Sequence, residues 1–185
     1  MSQIAFQTAR LHCRRICHAD VHAMLAVYGN TDVVRYVGEG MPLDRSGCER
    51  WIEVTLQNYA ERGYGMFALI ERESREIVGF CGLVHPSDRV EPEIKYALHP
   101  NQWGKGFATE AAMGLLSFAE NIGIRKVVAT VHPSNASSKR VLIKAGMTQC
   151  GDSLHNSDGS EDLLFYWSPV RQRNEPCFAK WERMP

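Results

Sequence analysis

Trp103-Gly104-Lys105-Gly106-Phe107-Ala108-Thr109-Glu110 is the stretch of this sequence that decides the fold. It follows a strand-like run at Glu93–Leu98 and leads into residues 109–122, whose apolar residues recur at helical spacing. A helix N-terminus offers free backbone N–H groups and the positive end of the helix dipole. Glycines at 104 and 106 permit positive φ angles and let a phosphate approach the backbone. The stretch therefore predicts a pyrophosphate site between a strand and a helix.

The same residues exclude two common phosphate-binding motifs. The string GxxxxGK[ST], which marks a nucleotide P-loop, does not occur in the sequence. The dinucleotide motif GxGxxG requires a third glycine where Thr109 stands, and it belongs near the start of a βαβ repeat rather than past the middle of a chain. Taken alone, a GxG turn is also compatible with a tight loop that binds no ligand.

Three ordered blocks resemble the GNAT superfamily of N-acetyltransferases, RimJ/RimL type. The first runs from residue 93 to 111 and includes the family's acetyl-CoA loop, with departures at Lys95 and Phe107. The second matches at Asn135, Ser138, Arg140, Val141, Leu142, Lys144 and Gly146, with Met147 replacing an aromatic residue. The third, near the N-terminus, matches at Thr8, Arg10, Leu11 and Arg14. The resemblance covers about residues 6–168 and implies the α/β mixed GNAT fold, with a largely antiparallel central sheet, splayed between its strands 4 and 5 and flanked by helices.

Composition narrows the class of protein. The chain has 185 residues, 44% of them hydrophobic, and a formal net charge of zero, as expected of an ordinary globular protein. A nucleic-acid-binding protein would be strongly basic, and no apolar run approaches the roughly 20 residues that span a bilayer. No signal-peptide pattern is visible at the N-terminus. We therefore expect a cytoplasmic protein with no nucleic-acid or membrane partner.

Cysteine and histidine spacing gives little support for a metal site. The six cysteines include no CxxC pair, which favours free thiols in a reducing compartment. Three histidines, at 12, 18 and 22, lie near Cys13 and Cys17, but no second pair of ligands follows. We expect no metal.

Periodicity and turn residues predict the element order β-α-α-β-β-β-α-β-α-β. The predicted strands are residues 6–16, 65–72, 77–84, 91–98, 126–132 and 163–167. The predicted helices are 21–29 with Asp20 as cap, a second from Asp44 or Ser46 to near Gly63, 109–122 before Gly123, and 135–145 before Gly146. The third helix is expected to bury Ala112, Leu115, Ala119 and Ile122, and residues 151–162 are expected to form a polar loop.

The predicted domain covers residues 1–170, and residues 171–185 form a proline-broken tail. Phe178 and Trp181 can dock this tail on the domain or on a neighbour, and disorder is the alternative.

The resemblance implies how acetyl-CoA, as co-substrate, is held. Its diphosphate lies on the backbone amides of residues 104–108, and its pantetheine runs along the strand that ends at Leu98. A backbone N–H near Leu98 then faces the thioester oxygen. The implied cofactor-binding residues are Leu98, Trp103, Gly104, Lys105, Gly106, Phe107, Ala108, Thr109, Asn135 and Ser138. The side chains of Lys105, Lys139 and Arg140 either contact phosphate groups or are solvated surface charges.

Glu93 is the leading candidate for the base that deprotonates the acceptor amine, because the family often places a base on this strand. An alternative is a structural salt bridge with Lys95, which lies on the same strand face. Such a cation would weaken the carboxylate as a base, and the family usually has glycine at position 95. Glu91, His85 and His132 are further candidates.

Ser138 is the candidate hydrogen-bond donor to the departing sulfur. Many family members use a tyrosine at the position of Leu142, and RimJ/RimL relatives have a serine at the position of Ser138. That hydroxyl can instead bond to the helix backbone. Asn135 either holds pantetheine through its amide or caps the helix.

Together these features predict an acetyl-CoA-dependent N-acetyltransferase that works by direct attack in a ternary complex. The acceptor is a protein N-terminus or a small-molecule amine, with walls from Val33, Arg35 and Tyr36 and from residues 41–46 and 151–162. A non-catalytic acyl-CoA sensor and an unrelated nucleotide-binding module are the alternatives. The sequence leaves a homodimer open.

Overall fold

The computed structural model describes residues 3–38, 40–86, 90–155 and 161–169. Within them the strands are β1 Ile4–Gln7, β2 Leu11–Arg15, β3 Met66–Glu71, β4 Ile77–Val84, β5 Glu93–Leu98, β6 Val127–Val131, β7 Thr148–His155 and β8 Glu161–Trp167. The α-helices are α1 Val21–Tyr28, α2 Thr31–Val34, α3 Arg45–Arg62, α4 Phe107–Asn121 and α5 Ala136–Lys144. The predicted tail, residues 171–185, lies outside the described residues.

The strands form one sheet in the order β1-β2-β3-β4-β5-β6-β8-β7. Every neighbouring pair is antiparallel except β5 and β6, which are parallel. In the described residues, β5 and β6 share only one register pair, Glu93 with Val128. Beyond this pair the two strands separate, so the predicted splayed, mostly antiparallel sheet is confirmed; the fourth and fifth predicted strands correspond to β5 and β6.

Helices cover both faces of the sheet. Cross-strand pairing puts Phe67 beside Cys81 and Ala68 beside Phe80, so the Phe67 and Phe80 side chains project from opposite faces. The Phe80 ring lies 5.9 Å from the Tyr28 ring of α1. The Phe67 ring lies 5.4 Å from the Phe118 ring of α4. One face is therefore the α1 face and the other the α4 face, and α5 packs beside α4.

The structure corrects the predicted start of the chain. Residues 6–16 form two strands, because the hydroxyl of Thr8 accepts a hydrogen bond from the N–H of Leu11 and closes a turn between them. Asp20 does precede α1, but its side chain does not cap that helix. Its carboxylate instead pairs with Arg14 at 2.7 Å and accepts from the N–H of Cys17. Burial opposes ionisation of Asp20, but these partners outweigh it and hold its pKa below the usual value.

The predictions for the second half also need correction at three points. α4 starts at Phe107, two residues earlier than expected, and Ile122 is 44% exposed rather than buried. The predicted polar loop 151–162 is wrong, because β7 extends to His155 and β8 begins at Glu161. Apolar residues are few in β7, where Thr148, Gln149, Gly151 and Ser153 are exposed and Cys150 is buried. Residues 156–160 lie outside the described part.

None of the helices built from the described residues is long and apolar enough to cross a membrane.

Candidate active site

The loop between β5 and α4 has the shape that its glycines predict. A short 3₁₀ turn at Pro100–Gln102 leads into it, and α4 follows directly. Gly104 has a φ of 75° and Gly106 a φ of 83°, in the left-handed region that L-residues avoid. The first full turn of α4 therefore begins immediately after a sharp bend, close to the end of β5.

The N-terminus of α4 differs from those of three other helices. Asn30, Asp44 and Asn135 cap α2, α3 and α5 by accepting backbone N–H bonds through their side chains. At α4 the capping position is Gly106, and no described side chain provides a cap. The N–H groups of residues 107–109 precede the first intrahelical bond, which Glu110 donates to Gly106. These amides and the helix dipole favour an anion.

Two residues from the β1–β2 turn support this loop. The Arg10 guanidinium donates through Nη1 to the carbonyl of Lys105 at 3.0 Å, and through Nε to Glu110 at 2.7 Å. It also lies 4.5 Å from the centre of the Phe107 ring. Thr8 donates from its hydroxyl to the same carboxylate at 2.6 Å. Burial opposes ionisation of Glu110, but Thr8 and Arg10 outweigh it and hold the pKa of Glu110 below its usual value.

Trp103 connects the loop to the end of β5. Its indole N–H donates to the carbonyl of Leu98 at 2.9 Å, while 48% of the residue stays exposed. Lys105 extends over the loop surface, where its ammonium donates to Gln102 at 2.8 Å. The Phe107 side chain is buried, so only its backbone can face a ligand.

The gap between β5 and β6 exposes backbone groups of β5. His99 donates its N–H to Val78 of β4, whereas Pro92 accepts from Val128 of β6. Since backbone groups alternate in direction along a strand, the N–H and C=O groups of Tyr96 and Leu98 face the β6 side. There β5 and β6 share no further register pair in the described residues, so these groups have no ladder partner on β6. An unpaired strand edge of this kind suits an extended ligand.

Glu93 closes the narrow end of the gap. One of its carboxylate oxygens accepts from the backbone N–H of Thr130 at 3.0 Å and from Lys95 Nζ at 2.6 Å. The same oxygen accepts from the Thr130 hydroxyl. In a regular parallel ladder, the Thr130 N–H would bond to a carbonyl of β5. The Glu93 side chain, 4% exposed, therefore takes the place of that carbonyl where the strands diverge.

Ser138 and Tyr96 meet on the α4 face of the gap. Tyr96 pairs with Cys81, which puts its ring on that face, and its hydroxyl lies 2.8 Å from Ser138 Oγ. Asn135 caps α5 by accepting the Ser138 N–H at 3.0 Å. Burial raises the pKa of Tyr96 to about 12, although the bond to Ser138 acts in the opposite direction.

The other candidate bases have partners of their own. His85 and the Tyr64 hydroxyl share a 2.6 Å hydrogen bond. Burial lowers the pKa of His85, and the positive charge of Arg62 lowers it further. His132 follows β6, and its ring stacks on Tyr36 at 5.1 Å. This stack lies at the wide end of the gap, where α2 approaches β5. Glu91 precedes β5 and is half-buried.

The structure thus brings most predicted residues together around the end of β5. Leu98, Trp103 and the loop to Thr109 lie on one side, and Asn135 and Ser138 on α5 lie on the other. Glu93 lies five positions before Leu98 along the extended strand, about 17 Å away. Lys139 and Arg140 lie on α5; Arg140 is exposed and 3.4 Å from Ser137.

The contacts that three residues make at the candidate site were not predicted from the sequence. Tyr96 and Arg10 belong to the matching blocks, which was the only available signal for them. Thr130 sits in a strand of β-branched residues, and nothing in the sequence distinguishes its N–H. No group of three His, Cys, Asp or Glu residues suited to a metal ion occurs in the described parts of the chain.

Comparison with known proteins agrees with this geometry. A model of the acetyltransferase (GNAT) domain family matches residues 10–148. The uncharacterized N-acetyltransferase YoaA of Bacillus subtilis (strain 168) is 28% identical over 148 residues, which cover 78% of this chain and 83% of YoaA.

Solved structures give the same result. The crystal structure of the acetyltransferase from Agrobacterium tumefaciens C58 superposes with a TM-score of 0.73 at 27% identity, covering 91% of this chain and 97% of that one. RimL, a ribosomal L7/L12 alpha-N-protein acetyltransferase in complex with coenzyme A, gives a TM-score of 0.74 at 17% identity and covers 90% and 98%. At that identity, the RimL match is evidence for the fold alone.

Proposed function

Because the chain belongs to the acetyltransferase (GNAT) family, we propose that it moves the acetyl group of acetyl-CoA directly to a primary amine in a ternary complex. The observation that carries this proposal is the uncapped N-terminus of α4, beside two glycines with positive φ and the open edge of β5. Its free amides suit a diphosphate, and the strand edge suits the amide-containing pantetheine arm. RimL, with the same fold, was solved with coenzyme A, which supports this fit.

The bound donor supplies an activated acetyl thioester, and the chain's residues orient it. Residues 104–109 hold the diphosphate by their N–H groups, and Trp103 fixes the loop to the carbonyl of Leu98. That bond occupies the carbonyl but not the N–H of Leu98, which stays directed at the gap. A backbone N–H in this position stabilises negative charge on the thioester oxygen, a contribution of about 3 kcal/mol in other enzymes.

We assign Glu93 a positioning role and not the role of base. A base must come within hydrogen-bond reach of the amine, yet Glu93 starts about 17 Å from Leu98 along β5. Its Oε1 atom already accepts from Lys95 and from two groups of Thr130. In this role, Glu93 fixes the position at which β5 and β6 diverge. The backbone groups of Tyr96 and Leu98 then stay unpaired for the donor.

This role for Glu93 favours an acceptor that needs little help to lose its proton. An α-amine has a pKa near 8 and is partly neutral at physiological pH, whereas a lysine amine titrates near 10.4. We therefore propose an α-amine as acceptor, on a protein N-terminus as in RimJ/RimL enzymes or on a small molecule. It approaches from the α1 face, past Tyr36, His132 and Lys95.

Ser138 is proposed to donate a hydrogen bond to the sulfur as the carbon–sulfur bond breaks. Its place in the first turn of α5 is fixed by Asn135, so Asn135 acts through its cap. We also propose that the reaction occurs in the cytoplasm. The catalytic domain is proposed to cover residues 1–170, which predicts that removal of residues 171–185 leaves acetyl transfer intact.

An amine panel tests the function most directly. The full chain is incubated with acetyl-CoA and α-amines, lysine-type amines or peptides with free N-termini, and released thiol is measured. We expect turnover with α-amines above the rate without amine. Donor binding without thiol release for any amine would favour an acyl-CoA sensor. No calorimetric binding at acetyl-CoA concentrations up to about 2 mM would contradict the proposal, because enzyme KM values commonly lie between 1 μM and 1 mM.

A further inference from the structure

We infer that Tyr96 is a positioning residue that directs the hydroxyl hydrogen of Ser138 toward the donor's sulfur. This inference rests on the proposed function and adds a residue to it. Family members commonly place a tyrosine hydroxyl near the sulfur from the position of Leu142. Here Leu142 is 1% exposed within the core and carries no hydroxyl. A phenol reaches α5 from β5 instead.

The geometry brings two hydroxyl groups into one hydrogen bond. Tyr96 extends from β5 across the α4 face, and its oxygen lies 2.8 Å from Ser138 Oγ. The carbonyl of Ser138 is farther away, at 3.4 Å, beyond the usual range for hydroxyl donors. Of the carbonyl oxygen and Oγ of Ser138, Oγ is therefore the better acceptor for the phenol.

The direction of this bond follows from acidity. A phenol loses its proton near pH 10 in model compounds, and an aliphatic alcohol holds its proton far more tightly. The stronger acid is the better donor and the alcohol oxygen the better acceptor. Burial raises the pKa of Tyr96 to about 12, so the phenol keeps its proton throughout the physiological range. Tyr96 thus donates to Ser138, whose own hydrogen is left to point elsewhere.

The inferred direction for that hydrogen is the gap. The backbone of Tyr96 faces the parted strands, and Asn135 fixes the backbone of Ser138 at the start of α5. A donor arm along the edge of β5 would bring its sulfur past these two residues. Donation from Tyr96 makes the Ser138 hydroxyl a stronger donor, because hydrogen bonds in a chain polarise one another.

The pair stabilises negative charge on sulfur without giving up a proton. A thiol titrates near 8.5, below the phenol and the alcohol, so complete proton transfer from Ser138 or Tyr96 would be unfavourable. During transfer the amine nitrogen bonds to the acetyl carbon, and the carbon–sulfur electron pair moves to sulfur. Nitrogen loses one proton to water, and the sulfur takes one from water after the thiolate has formed.

Ligand affinity tests this role separately from turnover. Coenzyme A and its desulfo analogue, which lacks the sulfur, are titrated into the full wild-type chain and into Tyr96→Phe, Ser138→Ala and Ser138→Thr. We expect wild type to prefer coenzyme A at pH 9 by about tenfold, the value of one charge-assisted hydrogen bond. The preference should vanish in Ser138→Ala, fall about threefold in Tyr96→Phe and persist in Ser138→Thr, which keeps the hydroxyl. Ser137→Ala, on the neighbouring exposed serine, is the matched control and should behave as wild type.

Turnover completes the test. The value of kcat should fall about 100-fold in Ser138→Ala and about tenfold in Tyr96→Phe, with KM for acetyl-CoA almost unchanged. The double variant should be no slower than Ser138→Ala, because both residues act through one hydrogen. Tyr28→Phe, another buried tyrosine, controls for loss of a phenol elsewhere in the core.

Two different failures can be told apart. If wild type binds coenzyme A and transfers acetyl groups, but Tyr96→Phe keeps the full preference and kcat, the role of Tyr96 is wrong and the proposed function stands. If wild type binds neither ligand, both proposals are wrong. Should Tyr96→Phe melt well below wild type, Ser138→Ala and Ser138→Thr still decide whether the hydroxyl contacts sulfur; equal preference in these two variants overturns the inference.

Discussion

The loop after β5 and the β5–β6 gap adjoin the same short strand, yet they are built differently. The loop, residues 103–110, uses consecutive residues and mainly backbone groups, with two glycines and an uncapped helix. The gap uses side chains that are distant in sequence, such as Glu93 with Thr130 and Tyr96 with Ser138. Binding of the donor should therefore be sensitive to backbone geometry, and turnover to individual polar atoms.

The largest effect is expected from a change to the loop backbone. Gly106→Glu forces a side chain into a φ of 83° and sets a carboxylate beside the proposed phosphate position, so acetyl-CoA affinity should fall about 100-fold or more by calorimetry. Gly123→Glu is the matched control, because Gly123 has a φ of 88° and open space at the opposite end of the same helix. Similar losses in both variants would mean that strain, and not the loop, controls binding.

Changes to Glu93 should affect turnover more than binding. Glu93→Ala leaves the half-buried N–H of Thr130 without this acceptor, and kcat should fall about 50-fold with little change in KM for acetyl-CoA. Glu93→Gln keeps an oxygen for that N–H and should lose only about fivefold. Hydrogen exchange at Thr130 should be accelerated in the alanine variant alone. If both variants are equally inactive and their rate no longer rises with pH, Glu93 is the base after all.

Arg10 connects the loop to the β1–β2 hairpin, and its replacement should weaken acetyl-CoA binding less than the change at Gly106 does. Arg10→Gln removes the guanidinium bonds to Lys105 and Glu110, and we expect about tenfold weaker acetyl-CoA binding. Arg15→Gln is a close control, since Arg15 also lies over an aromatic ring, at 4.7 Å from Tyr59, and donates to the carbonyl of Gly63 at 3.0 Å. Equal weakening in the two variants would show that the hairpin as a whole, and not its contact with the loop, is responsible.

The lowered pKa of Glu110 makes the stability of the folded protein depend on pH. This pKa is lowered in the folded protein, so the stabilisation is complete above the ordinary carboxyl value of 4.5 and is lost as pH falls through the lower folded value. Below about pH 4.5 the Tm of wild type should fall about 3 °C further than that of Glu110→Gln. Glu120→Gln, at the exposed other end of α4, should follow wild type in this calorimetric series. Parallel Tm curves for wild type and Glu110→Gln would contradict the role of this carboxylate.

The smallest effect is expected at the wide end of the gap. Tyr36→Ala removes the ring that stacks on His132, and KM for the acceptor should rise about threefold while acetyl-CoA affinity stays constant. Val54→Ala, also exposed but on α3 and outside the predicted acceptor wall, provides the comparison. A change in acetyl-CoA affinity with an unchanged KM for the acceptor would indicate that the Tyr36–His132 stack contacts the donor and not the acceptor.

The sequence predicts the loop well but does not predict the side-chain contacts in the gap. The loop could be predicted because its glycines, helix start and preceding strand are local signals, and only the first residue of α4 was misplaced. Gap contacts could not be predicted in the same way: the N–H of Thr130 meets Glu93 only when β5 and β6 are side by side. Asp20 shows the same limit, since its sequence position indicates a cap but Arg14 recruits its carboxylate.

The remaining error concerns β7. Residues 148–155 carry few apolar side chains, and an antiparallel strand needs none on a face that is exposed to solvent. Their polarity therefore predicts a loop, whereas pairing with β8 makes them a strand.

The bond between Thr8 and Glu110 spans 102 positions of the chain. During synthesis the first hairpin leaves the ribosome long before the partner that it will hold, so the nascent protein carries the hairpin half of that contact through most of translation. Removal of the first ten residues would leave every residue of the loop in place. The loop would nevertheless lose its hydrogen bonds to Thr8 and Arg10. Fusions and truncations near the β1–β2 hairpin are thus changes to the distant candidate site at the start of α4.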